Sequence, residues 1–178
     1  MVRMIRIHPK EQLTEHFSLG EMCRSATAKK YGLPNLPREE CELANLRALC
    51  RNVLEPARQI LSSPLRITSG FRSTTLNRLV GGSKSSQHML GEAADFCPYK
   101  LPVRDAAFTL SHQEHLPFDQ LIYERRKTKG GWQEWIHISH CRVGLNRHQA
   151  LSIAVDGNTR MVEEGIKAPP EFILEPAE

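Results

Sequence analysis

A histidine and a carboxylate flank a glycine in the run Ser86-Gln87-His88-Met89-Leu90-Gly91-Glu92-Ala93-Ala94-Asp95. Imidazole nitrogen and carboxylate oxygen are both ligands for a borderline ion such as zinc. A turn at Gly91 would fold the segment back so that His88 approaches Asp95 at the start of a strand, with the small Ala93 and Ala94 leaving room around the pair. By themselves, a histidine and an aspartate seven residues apart are a weak signal. Further along, Glu134-Trp135-Ile136-His137 comes after a hairpin turn, and His137 supplies the third ligand. Three protein ligands plus a position open to water describe a catalytic zinc, which brings the pKa of that water to about 7. The pattern therefore implies one catalytic Zn2+ on His88, Asp95 and His137.

Glu134 is the candidate general base. In a regular strand, however, residues 134 and 137 point to opposite faces, so Glu134 reaches the metal's open position only through a bulge or a strong twist. The same parity turns His140 away from His137. His112 and His115 resemble a zinc-binding spacing but sit at a helix end before Pro117, which favours a solvent-facing role. Asp119, at the entry to a strand, is open to two readings: a hydrogen-bond partner of a ligand histidine, or a plain turn residue.

These residues need elements to position them. Residues 1–36 read as an arm anchored by Phe17, Leu19, Met22 and Tyr31, with Ser18 opening a helical turn. Pro37 suits the first turn of a helix, and Glu39 and Glu40 suit its positive end. Leu43, Leu46, Cys50, Val53, Ala57 and Ile60 recur at helical spacing, and Pro56 should kink or split the helix into pieces over about 38–54 and 56–62. Strands are expected at 65–68, 93–97, 118–124 and 132–139, the last two joined at Gly130-Gly131. A helix at 104–112 and a short one capped by Thr74 or Thr75 accompany them, and a hairpin at 151–155 and 159–162 turns on Asp156-Gly157-Asn158. Helices followed by antiparallel strands make an α+β fold, an antiparallel sheet carrying the zinc site with helices packed on one side. The expected organisation is an arm at 1–36, a domain at 37–165 and a Pro-rich tail at 166–178.

Ser-x-His-x-x-Gly-x-Ala-x-Asp followed by Glu-x-x-His resembles the signature of the zinc D-alanyl-D-alanine carboxypeptidases, D,D-dipeptidases and phage-type L-alanyl-D-glutamate endopeptidases. The likeness extends from Ile67-Thr68-Ser69-Gly70-Phe71-Arg72-Ser73 through Phe118-Asp119-Gln120-Leu121-Ile122 to Trp135-Ile136-His137-Ile138-Ser139, about the central half of the chain. Carried over position by position, it implies His88, Asp95 and His137 as zinc ligands and Glu134 as general base. It also implies Arg72 as a contact to substrate and oxyanion, with Ser86 lining the site or holding the His88 loop. The implied substrate is a peptidoglycan stem peptide cut beside a D-amino acid. Some relatives have Trp immediately before the last histidine, where this chain has Ile136, so the pocket differs there. A carboxypeptidase, or a binding module that keeps the fold without catalysis, are the rival readings.

The composition fits such an enzyme and excludes other classes. The chain has 178 residues, 40% hydrophobic and 25% charged, with a net charge of +4. A chain of this length can bury roughly 70% of its unfolded surface, so it does not need a metal to fold. Arg125, Arg126, Lys127 and Lys129 cluster beside Gly130-Gly131 without stacking aromatics, which points to a solvated hairpin tip rather than a nucleic-acid surface. Five cysteines with no CxxC pair read as reduced, mostly buried thiols. No apolar run approaches the roughly 20 residues of a membrane span, and no cleavable leader is evident. The expectation is a monomer made in the cytoplasm without a signal peptide, reaching the wall on lysis, as an endolysin does.

Overall fold

The computed structural model describes His8 and residues 10–167. The expected tail beyond 167 and most of residues 1–9 lie outside the described residues. Two short helices come first, α1 (Leu19–Met22) and α2 (Ala26–Lys30), with Ser18 and Ser25 as caps. Leu13, Phe17, Leu19, Met22 and Cys23 from this segment are buried in the same core as the rest of the chain.

Helix α3 (Glu40–Leu49) starts later than Pro37 implies. Glu42 folds back to accept hydrogen bonds from the backbone N–H groups of Arg38 and Glu39, at 2.7 and 3.1 Å. Such a box satisfies N–H groups that a helix start leaves unpaired. Pro56 does not split the helical run. The chain passes through a π-helical turn, Cys50–Leu54, into α4 (Glu55–Ile60), with the Glu55 N–H bonded to the Cys50 carbonyl. The wider turn takes up the donor that proline lacks and keeps the apolar stripe in register, so Leu43, Leu46, Leu49, Val53, Leu54 and Ala57 all enter the core.

The sheet comprises β1 (Leu65–Ser69), β2 (Ala93–Pro98), β3 (Gln120–Thr128), β4 (Gly131–Ser139), β5 (Gln149–Asp156) and β6 (Thr159–Glu164), in the order β1-β2-β4-β3-β5-β6. It is not wholly antiparallel, because β3 and β5 run parallel. Strand β2 occupies the free side of β4, so the chain leaving β4 must pass β3 before it can pair. A loop over residues 140–148 crosses two strand spacings, about 10 Å, and β5 then runs antiparallel to β4 with β3 between them.

Helix α5 (Thr74–Leu79) is capped by Ser73, one residue earlier than expected, through its hydroxyl to the Leu76 N–H. Helix α6 is Val103–Ser111. Side chains alternate along each strand, so one face of the sheet carries Ala94, Phe96, Leu121, Tyr123, Ile136 and Ile138. All of these are buried together with residues of α3, α4 and α6. The opposite face carries Asp95, His137, Ile122 and Glu124. The five cysteines are free, but only Cys23 and Cys50 are buried. Among the described residues, no helix is long and apolar enough to cross a membrane.

Candidate metal centre

Three segments meet on the face away from the helical core. Asp95 on β2 and His137 on β4 are direct cross-strand partners, so their side chains stand side by side. His88 comes from a 3-10 turn, Gln87–Leu90, that ends at Gly91 in a left-handed conformation with φ 72°. A Cβ there would also meet the Glu42 carbonyl oxygen at 2.5 Å, so both backbone angle and space call for glycine.

One Asp95 oxygen gathers the set: Oδ1 lies 2.9 Å from His137 Nδ1 and 3.2 Å from His88 Nε2. One ligand atom from each of the three residues lies within 4.8 Å of the others. Zinc bonds of about 2.0–2.2 Å in a tetrahedron put neighbouring ligand atoms roughly 3.3–3.6 Å apart. The observed spacing therefore needs only small adjustment, and one carboxylate with two imidazoles is a donor set that zinc accepts.

The surroundings prepare these groups. His88 Nδ1 donates to the Gly70 carbonyl at 2.7 Å, which leaves Nε2 with a bare lone pair facing Asp95. Burial pushes the His88 pKa down despite the nearby Asp95, so the ring is neutral, as a ligand must be. Burial alone would raise the Asp95 carboxyl, but the neighbouring His88 and His137 rings outweigh it and hold it below the ordinary carboxylate range. Arg72 adds to this, donating from its guanidinium to Asp95 Oδ2 at 2.8 Å and from Nε to Ser69 Oγ at 2.8 Å. A register irregularity between Ile67 and Ser69 in β1 leads into the turn that aims Arg72 at the site.

Glu134 is not brought to this cluster. Strand β4 keeps a regular register with β3 from Gly131 to Ile138, so no bulge reverses its parity. Its carboxylate lies on the opposite face and accepts a 2.5 Å hydrogen bond from the Tyr123 hydroxyl. Two-residue alternation thus puts Glu134 and His137 on opposite sides of β4. On the ligand face, β3 instead presents half-buried Glu124, paired with Trp135 and diagonal to His137. Burial raises the Glu124 carboxyl, the charge of Asp95 raises it further, and His137 opposes them.

Ser86 opens the 3-10 turn: its carbonyl accepts from the Met89 N–H at 3.0 Å, so it holds the His88 segment through the backbone. Asp119 bonds no ligand histidine. It accepts from Gln87, the neighbour of His88, at 3.0 Å, and from the Arg147 side chain and backbone, thereby tying the turn to the β4–β5 loop. His140 lies outside the cluster, donating through Nδ1 to the Pro117 carbonyl, and His112 and His115 are exposed. Sequence reasoning missed the Gly70 carbonyl, Gln87 and Arg147. The first is a backbone atom without a side-chain signature, and the others carry no motif.

Residues 15–139, most of the chain, match the family described as Peptidase M15. The Zinc D-Ala-D-Ala carboxypeptidase of Streptomyces albus G is 42% identical over a stretch covering 26% of this chain and 21% of that protein. The match thus spans about a fifth of the length of that relative.

Proposed function

This chain belongs to the peptidase M15 family, and we propose that it is a zinc-dependent peptidase that hydrolyses a peptide bond beside a D-amino acid in bacterial peptidoglycan. The observation that carries this reading is the convergence of His88, Asp95 and His137 against Arg72 on one sheet face. The name of the Streptomyces relative supports zinc and a D-Ala peptide as the chemistry of this fold region.

Zinc held by the three residues supplies Lewis acidity toward the scissile carbonyl. His88 keeps Nε2 available by committing its Nδ1 proton to Gly70, and Asp95 remains ionised beside it. Arg72 places a fixed positive charge where the carbonyl oxygen gains negative charge during water addition, in a site where a preorganised donor is most effective. Ser86 fixes the start of the turn that carries His88. The half-buried position of His137 gives an extended peptide access to the set from the exposed side of the sheet.

Endopeptidase action on the stem peptide, of the endolysin kind, is the first choice for the scissile bond. The name of the relative favours a second reading, removal of a terminal D-alanine. Digestion of purified peptidoglycan, with chelator and then with zinc restored, tests both. Chelator-sensitive release of fragments is the expected result, and mass spectrometry of the new termini separates internal cleavage from loss of a single D-alanine. A zinc-loaded protein that released nothing would remove the hydrolase reading in favour of a wall-peptide binding module.

A further inference from the structure

We infer that two copies of this chain associate through β6, paired antiparallel edge to edge, so that their sheets become one. Strand β6 ends the sheet order, and no strand lies beyond it among the described residues. All of its residues are exposed, the apolar Met161 and Val162 included, and its pairing with β5 is unbroken by any bulge. Sheets usually blunt a free edge with proline, a bulge, charge or cover from another element. The turn after β1, at the other edge, has such cover from α1, the Phe71 N–H donating to the Met22 carbonyl. Strand β6 has neither proline nor bulge, and its charges are arranged to attract a second copy. The monomer expected from the sequence leaves this edge bare.

Which backbone groups point outward follows from the hairpin. Asp156 and Thr159 close a two-residue turn, and at the far end the Gly165 N–H donates to the Ala150 carbonyl at 2.8 Å. Antiparallel pairs alternate between bonded and unbonded, so Thr159, Met161 and Glu163 direct their N–H and C=O groups to β5, while Arg160, Val162 and Glu164 turn theirs outward. A two-fold axis at Val162 then sets Arg160 against the partner's Glu164 twice, with about six backbone hydrogen bonds. Arg160 and Glu164 are exposed and form no salt bridge among the described residues, whereas Glu163 already has Lys167 at 3.0 Å. Shifting the register one way sets Glu163 against the partner's Glu163, which like charge disfavours. Shifting it the other way leaves Arg160 facing the partner's Val162, with no counter-charge.

The same register fixes what the dimer presents. His137, Ile122, Leu151 and Glu164 form one row across the sheet through successive pairs, so the outward residues share the ligand face. A two-fold axis normal to the sheet keeps both ligand sets on one side, about 34 Å apart over seven strand spacings. Resting on the peptidase reading above, such a dimer holds two stem peptides of one wall at once.

Sedimentation equilibrium of the unaltered full chain, of Arg160→Glu, of Glu164→Arg and of an equimolar mixture of the two variants tests the interface without any assay of cleavage. The unaltered chain is expected to pass from one copy to two through the micromolar range, since a single strand pair lies at the small end of stable interfaces. Each variant turns two attractive pairs into repulsive ones and should dimerise at least about tenfold more weakly. In the mixture each substituted position meets its opposite charge again, so association should return to that of the unaltered chain. A folding defect would not be repaired by mixing. An unaltered chain that stays a single copy, its edge free or covered by its own residues, overturns the proposal. So do variants that dimerise like the parent, or a mixture that associates no more tightly than either variant alone. Failure to cleave wall peptides would count against the peptidase reading only.

Discussion

Asp119 shows how much a single side chain can organise without touching a ligand. Its carboxylate is buried and accepts bonds from Gln87 and from the Arg147 side chain and backbone, which join the His88 turn to the loop between β4 and β5. The Arg147 side-chain bonds lead in holding the Asp119 pKa down to about 2, against an ordinary 3.8. A carboxyl depressed in the folded state contributes stability at pH above its unfolded value, and loses it as pH falls through the folded value. Asp119→Asn should therefore cost about 1–2 kcal/mol at neutral pH, a figure discounted for the half-exposed Arg147. The gap between variant and parent should close as pH drops from about 4 toward 2. Urea unfolding at neutral and acid pH measures this, and a gap that stays constant through that window would count against the network.

At the scale of elements, the site depends on a backbone contact between α1 and the turn after β1. The Phe71 N–H donates to the Met22 carbonyl at 2.7 Å, and a Cβ on Gly70 would lie 2.2 Å from that same oxygen. The Gly70 carbonyl in turn accepts the hydrogen bond from His88 Nδ1. Gly70→Ala must push the turn off α1 and misplace the acceptor that orients His88. Zinc affinity is expected to fall about 10–100-fold, the usual cost of losing a partner behind a metal ligand. Competition against a chromophoric chelator reads this directly, and an unchanged affinity would show that α1 does not position the site.

Over the whole molecule, the helices and the sheet bury their apolar residues on the face away from the ligand set. Folding and metal binding are thus separable. Chelation should leave the far-UV circular dichroism and a cooperative melt intact, while saturating zinc raises Tm. The gain is about 2.7 kcal/mol at a hundredfold excess over Kd. Loss of the cooperative transition in chelator would instead mark the metal as structural.

The chemistry of the candidate site was legible because it lies in residue types and short spacings: His88, Gly91 and Asp95 within ten residues, and His137 on a strand bounded by a glycine turn. Most elements were legible for a related reason, since apolar periodicity and capping or turn residues act over a few positions. Ser73 in place of Thr74 as a cap and the π turn before Pro56 are departures by one turn or less. The parity conflict at Glu134 was visible too, but its resolution required knowing that β4 pairs with β3 without a bulge. Strand order, the parallel β3–β5 pair, the facing of Glu124 and the close approach of Gly70 to Met22 all depend on partners far along the chain. Local sequence decides which groups can do chemistry. Register and long-range packing decide which of them share a face, because moving one residue along a strand exchanges the two sides of the sheet.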